Sequence, residues 1–237
     1  MDTIVNDFTI NIATANGTGS QSANLVLLKT MFDMGVPVSG KNLFPSNISG
    51  LPTWYIIRVS DAGYQAPGDR THIMIMMNAD TWQKDIDSCE SETVIIYNSD
   101  VKLPVERDDC VVLGIPMTKM ARKINPKLAR MIANMYYVGA LVHLLDVDIV
   151  SVQALLERQF KGKTSAIELN MRAIEEGRAY AEENFGNPQP FRIEEREKIE
   201  GQFLIDGNEA TALGSIYGGV NLLSWYPITP SSSLAEG

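Results

Sequence analysis

Phe8-Thr-Ile-Asn-Ile-Ala-Thr-Ala-Asn-Gly-Thr-Gly-Ser-Gln-Ser22, continued by the apolar run 23–34 and closed by Gly35, is the stretch on which the fold turns. Residues 8–13 read as a buried strand, 16–22 as a glycine turn, and 23–34 as an apolar helix that Gly35 stops. A strand that passes through a tight turn straight into a helix opens an α/β domain with a mostly parallel sheet. Gly17 and Gly19 let the backbone approach an anion, and the helix N-terminus supplies free N–H donors for it. As a dinucleotide fingerprint the turn is incomplete. Ser22 stands where a third glycine is required, and no Asp or Glu closes the next strand, 36–41, to hold a ribose hydroxyl. Lys41 is suited to a 2′-phosphate instead, and a turn that merely packs helix on strand uses the same residues.

Downstream, the runs 53–59, 72–77, 93–97 and 110–115 are short and β-rich, which predicts further strands of the same sheet with a hairpin-like excursion over 63–70. Residues 62–69 are a loop by composition, either a lid or inert surface. His72 begins a strand with no Cys or second His nearby, so it reads as structural, and no metal site is expected. Between Cys110 and Leu145 there is no acid, while Lys119, Arg122, Lys123, Lys127 and Arg130 crowd together. Such a basic region suits phosphates or an acidic partner surface, or is a set of helix-end cations facing water. The helix expected over 128–145 is too apolar to face water and too short to span a bilayer, and His143 on it reads as a core histidine. Two amphipathic helices follow at 151–160 and 164–185, and then a Pro-containing, charged connection.

Apolar content of 45% in 237 residues is enough for a sizeable core. A net charge of -9 excludes nucleic acid as the expected partner, because phosphate neutralisation needs a basic face. The N-terminus carries Asp2 and Asp7 where a secretory leader would be basic and then apolar, so a cytoplasmic, membrane-free protein is expected. Cys89 and Cys110 are too few for a disulfide framework and too far apart in sequence for a Cys-x-x-Cys pair.

The last stretch, 207–233, reads as a short Ala- and Leu-rich helix and then a strand over 224–228, cut off by Pro227 and Pro230 so that Ile228 and Thr229 sit on a rigid shoulder. Its Gly-Asn-Glu-Ala at 207–210 and Tyr226-Pro227-Ile228-Thr229-Pro230-Ser231 resemble the start of the pyrimidine-binding domain of 2-oxoacid:ferredoxin oxidoreductases. Gly17-Thr-Gly-Ser-Gln-Ser22 resembles the Gly-x-Gly-x-Gln-Gly turn of the γ domain of the same enzymes, a Rossmann-like domain that binds no nicotinamide. Asn134 and Gly139, in Asn-Met-Tyr-Tyr-Val-Gly, resemble that domain's Asn-Met-x-x-x-Gly helix, and residues 43–60 look like the version fused in front of an α domain.

The resemblance implies a Rossmann-like γ domain at 1–186, a linker at 187–204 and an incomplete pyrimidine-binding domain at 205–237, so that the chain is expected to be the N-terminal piece of a longer subunit. It implies oxidative decarboxylation of a 2-oxoacid to acyl-CoA, with electrons passed to ferredoxin. Domain fusion and the 42–53 region lean toward 2-oxoglutarate, with pyruvate next. Thr229 would lie beside thiamine diphosphate and bond the substrate, on a shoulder made with Tyr226, Pro227 and Ile228. Gly17, Gly19, Gln21 and Ser22 would lie near the cofactor. No catalytic residue is expected in the chain, since the family's thiamine-activating glutamate falls beyond Gly237 and Glu209 belongs to the preceding helix. Thiamine diphosphate with Mg would sit at the interface with a thiamine-binding β subunit. The iron–sulfur clusters would also be on the partner, because two cysteines cannot supply them. Coenzyme A would be co-substrate, its phosphates suited to the basic region, and none of these groups would be bound by this chain alone. The alternative is a nicotinamide-dinucleotide-binding oxidoreductase domain or a non-catalytic Rossmann-type interaction module.

Overall fold

A computed structural model describes residues 3–45, 48–101, 104–227 and 231–236. In chain order the elements are β1 (Ile4–Val5), β2 (Asp7–Ala15), α1 (Ser20–Asp33), β3 (Val38–Leu43), β4 (Pro52–Ser60), β5 (Ile73–Met76), α2 (Trp82–Asp87), β6 (Val94–Asn98), β7 (Val111–Ile115), α3 (Met117–Ile124), α4 (Ala129–Leu144), α5 (Ile149–Gln159), α6 (Thr164–Phe185), β8 (Phe191–Arg192), α7 (Gly207–Tyr217) and α8 (Ser231–Glu236). They divide into two compact units, residues 1–200 and 201–237.

The first unit is built on a six-stranded sheet of order β3-β4-β2-β5-β6-β7. β2, β5, β6 and β7 run parallel, while β4 pairs antiparallel with both β2 and β3. Strands of a parallel sheet are buried on both faces, which is why 73–76 and 94–96 are apolar at every position. One face carries Ile10, Ile12, Ile57, Ile73 and Ile75, and there α1 packs its Leu28 toward Gly40 and Tyr55. On the opposite face Met74, Met76 and Ile95 form a cluster with Ile86 and Cys89 at the end of α2.

α4 is buried along almost its whole length, and Tyr137 ties it to α1 by donating 2.7 Å to Asn24 Oδ1. It also packs on α6, and the two come together backbone to backbone. A Cβ on Gly139 would lie 2.0 Å from the Ile174 carbonyl oxygen, and one on Gly177 would lie 2.5 Å from that of Tyr136.

The hairpin expected over 63–70 is one connection earlier, between β3 and β4. Because β2 has β4 on one side and β5 on the other, 61–72 must instead cross the start of β2, where Asp61 N–H donates to Asn6 and His72 N–H to Thr9. His72 is structural in this setting, its Nδ1 accepting from the Thr9 N–H at 3.0 Å and its ring edge-on to Phe191. His143 Nε2 lies 2.8 Å from the Gly186 carbonyl oxygen.

The stretch read as a linker is bound along the first unit through much of its length. β8 pairs in parallel with β1, Gln189 donates to the carbonyls of Leu144 and Phe191, and Arg196 and Lys198 both reach Asp61. In the second unit α7 starts with a capping box in which Asp206 accepts from the Glu209 N–H and Glu209 accepts from the Asp206 N–H. The strand expected over 224–228 does not form across its described part, 224–227. A strand exists only as a member of a ladder, and residues 201–237 contain no other strand among those described. No helix among the described residues is long and apolar enough to cross a membrane.

α2 is pinned to the sheet by a buried acid. Asp85 accepts 2.7 Å bonds from Trp54 Nε1 and Thr81 Oγ, and Lys84 lies over the Trp54 ring. Burial raises the Asp85 pKa above the ordinary aspartate value despite those bonds. The folded state therefore binds this proton more tightly than the unfolded state. The ionised form costs stability at neutral pH, and that cost is relieved as pH falls through the folded pKa toward the unfolded one. Asp85→Asn keeps an acceptor for Trp54 and can donate to Thr81. The variant should match or exceed the parent in urea unfolding at about pH 7 and lose its relative advantage as the pH falls toward the ordinary aspartate range.

Candidate functional site

At the end of β2 the chain leaves for α1 on one face of the sheet, whereas after β5 it leaves for α2 on the other. The crevice between such diverging connections, outside the carboxyl ends of the strands, is where open α/β sheets take ligands. A cleft of about 540 Å³ occupies this position. Its floor is Thr14, Asn78 and Asn98, all more than nine-tenths buried at the ends of β2, β5 and β6. At the ends of both β5 and β6 the chain reads Asn-x-Asp. Asn78 Oδ1 accepts from the Asp80 N–H at 3.1 Å, and Asn98 Oδ1 from the Asp100 N–H at 3.3 Å. Their amides then point inward, Asn98 Nδ2 to Thr118 Oγ at 2.8 Å and Asn78 Nδ2 to the Thr14 carbonyl at 3.4 Å.

The opposite wall comes from α3 and the start of α4, and it brings Arg122, Lys127 and Arg130 to the cleft. Among the described residues no ion pair involves these three, nor Lys119 and Lys123. A cationic wall facing a neutral amide floor favours a ligand that carries negative charge. Asp80 also lines the cleft and supplies an acceptor at its edge.

The glycine turn forms the boundary between this cleft and a smaller one of about 230 Å³. Gly17 and Gly19 both have positive φ, at 76° and 78°, and an added Cβ at Gly17 would stand 2.6 Å from Ser49 Oγ. The turn is held from three sides: Thr18 Oγ donates to the Ala15 carbonyl, Thr14 Oγ to Ser20 Oγ, and Asn134 Nδ2 reaches across from α4 to the Thr18 carbonyl at 2.7 Å. Gly17, Gly19, Gln21 and Ser22 thus line one small pocket, together with Asn42, Thr53 and Tyr55 from the β3–β4 hairpin. Thr53 Oγ donates to Asn42 Oδ1 at 3.2 Å.

Tyr226 is exposed and Pro227 follows it without sheet pairing, while Ile228 and Thr229 lie outside the described residues. The strand-end amides Asn78 and Asn98 were not singled out from sequence. Their signal was the repeated Asn-x-Asp directly after an apolar strand, since Asx turns fix the chain where a parallel strand ends. No group of three or more His, Cys, Asp or Glu among the described residues is arranged to hold a metal.

These features define an open α/β domain with a switch-point cleft and an anion-favouring wall. Residues 9–180 match the model of the pyruvate ferredoxin/flavodoxin oxidoreductase family, and the chain belongs to that family. It is 23% identical, over 97% of its own length and 42% of the relative's, to 2-oxoacid:ferredoxin oxidoreductase 2, subunit alpha, of Aeropyrum pernix. A solved structure of 2-oxoglutarate:ferredoxin oxidoreductase from Magnetococcus marinus, with 2-oxoglutarate, coenzyme A and succinyl-CoA bound, superposes with a TM-score of 0.85 at 26% identity, covering 98% of this chain and 40% of that one. The γ subunit of a keto/oxoacid ferredoxin oxidoreductase from Geobacter sulfurreducens shares the fold, with a TM-score of 0.61 at 16% identity, over 73% of this chain and 98% of that subunit. The chain therefore spans less than half the length of the first two of these proteins.

Proposed function

We propose that the chain serves as the γ-like portion and the opening of the α portion of a 2-oxoacid:ferredoxin oxidoreductase, and that its switch-point cleft receives the phosphates of coenzyme A. The reading takes the substrate to be 2-oxoglutarate. It is supported by family membership and by the names of the relatives, one of which carries 2-oxoglutarate and coenzyme A. The observation that carries the cleft assignment is the wall of Arg122, Lys127 and Arg130 in a chain of net charge -9. Phosphates are what such a wall is suited to bind.

On this reading thiamine diphosphate with its Mg lies at the interface with a β subunit. When bound it supplies the carbanion chemistry, and the protein supplies orientation. The iron–sulfur clusters belong to a partner as well, since Cys89 is buried in an apolar cluster and Cys110 packs against it. Glu209 is engaged in the α7 capping box and is not assigned to the thiamine. Domains at 1–186 and 205–237, joined by 187–204, and a role for Thr229 at the substrate with Tyr226, Pro227 and Ile228, belong to the same proposal. Gly17, Gly19, Gln21 and Ser22 would shape the surface turned toward the cofactor. The nicotinamide alternative is disfavoured because β3 ends in Lys41, Asn42 and Leu43 with no acid.

The test is kinetic, in the complete subunit assembled with its thiamine-binding partner. Replacing Arg122, Lys127 and Arg130 together by Ser should raise the KM for coenzyme A about tenfold, the lower end of what losing charged hydrogen bonds at exposed positions costs. The KM for the 2-oxoacid should stay unchanged, and added salt should shrink the difference. An unchanged KM for coenzyme A would remove the cleft from the account.

A further inference from the structure

The chain's two cysteines lie together on the side of the sheet covered by α2, away from both clefts. Cys89 follows α2 and is buried in the cluster of Met74, Met76, Ile86 and Ile95, and Cys110, directly before β7, packs on the same cluster. Short contacts fix both. Cys89 Sγ donates to the Asp85 carbonyl at 3.3 Å, and Cys110 Sγ donates at 3.4 Å to the carbonyl of Glu90, the residue after Cys89. Arg107 spans the two segments. Its Nη1 donates to the carbonyls of Ile86 and Cys89 at 3.1 and 3.2 Å, while Nε and Nη2 fork onto Asp109, the neighbour of Cys110, at 2.7 and 2.8 Å.

We propose that Cys89 and Cys110 are a redox-active dithiol that closes into a reversible intramolecular disulfide when the protein meets a peroxide. The environment sets the order of events. Burial pushes the Cys89 thiol up to about 12. Cys110 is also raised by burial, but it is more open and the Arg107 charge favours its thiolate. Cys110 is therefore oxidised first. Its thiolate attacks one oxygen of hydrogen peroxide, the O–O bond breaks, and Cys110 becomes a sulfenic acid as the released hydroxide takes a proton to leave as water. The Cys89 sulfur, losing its proton, then attacks the Cys110 sulfur; the S–S bond forms, the S–O bond breaks and a second water leaves. Two thiols and one peroxide give one disulfide and two waters. The high pKa of Cys89 makes closure slow, and the ring it closes contains β6, which ends at Asn98 of the cleft floor.

The experiment uses the full chain, treated with hydrogen peroxide, blocked with N-ethylmaleimide and digested with trypsin without reductant. Cys89 and Cys110 fall in the separate tryptic peptides 85–102 and 108–119. The expected result is a cross-linked species two hydrogens lighter than the summed peptides, with loss of maleimide label from both cysteines together, reversed by dithiothreitol. In Cys89→Ser the cross-link should vanish and Cys110 should proceed to sulfinic acid, and in Arg107→Ala closure should slow. Overturning results are peroxide-treated protein in which both cysteines still label, Cys110 oxidised with Cys89 free, or disulfides found only between molecules.

Discussion

Gly139→Ala should lower stability by about 2 kcal/mol, the cost of forcing an added carbon into a packed contact less the helix propensity alanine gains over glycine. At Gly139 the new Cβ would stand 2.0 Å from the Ile174 carbonyl oxygen and 2.8 Å from the Arg178 nitrogen. Both are main-chain atoms, so no side chain can rotate away and α4 must separate from α6. For a unit of this size the loss corresponds to a fall in Tm of roughly 4–8 °C. Gly177→Ala meets the Tyr136 carbonyl across the same contact, so the double variant should cost less than the sum of the two single ones, the first separation having made room for the second methyl. Urea unfolding of the three variants checks this; a more stable Gly139→Ala would mean that the helices do not meet there.

Most of the core was readable before any coordinates, because a parallel strand declares itself by apolar residues on both faces. That is why 8–13, 93–97 and 110–115 fall within β2, β6 and β7 or within a residue of them; the helix expected over 164–185 is α6 to the residue. What was not legible is pairing. The segment Ser39-Gly-Lys-Asn42 is nearly all exposed and polar, so nothing local says that it lies antiparallel to β4. A hairpin was instead expected at 63–70, where glycine and proline supply a turn signal but no partner strand. The cleft was half legible. Its cations stand close together in sequence, but its floor is made of residues as far apart as Thr14 and Asn98, which only the sheet order β2-β5-β6 brings side by side.

Thr229→Val should lower kcat/KM for the 2-oxoacid by about tenfold to a hundredfold in the assembled enzyme. On the proposed reading the Thr229 hydroxyl donates to the 2-oxoacid, and a preorganised donor is what developing charge beside a carboxylate requires. Valine keeps the shape and removes the donor, and a hydrogen bond to a charged group contributes about 1.5–3 kcal/mol. Kinetics in coenzyme A should scarcely move, because the cleft proposed for its phosphates depends on Arg122, Lys127 and Arg130. A general loss of activity in both substrates would point to disrupted assembly, which Thr229→Ser should then fail to restore. Selective recovery by serine is the result expected of a hydroxyl donor.

The most direct test is to express the subunit with the β subunit proposed to bind thiamine and follow ferredoxin reduction when 2-oxoglutarate and coenzyme A are added, singly and together, with NAD as an alternative acceptor in the same cuvette. Reduction of ferredoxin that requires both substrates, with no nicotinamide reduced, is the predicted result. Failure of every 2-oxoacid tried to reduce ferredoxin, with NAD reduced in its place, would contradict the account.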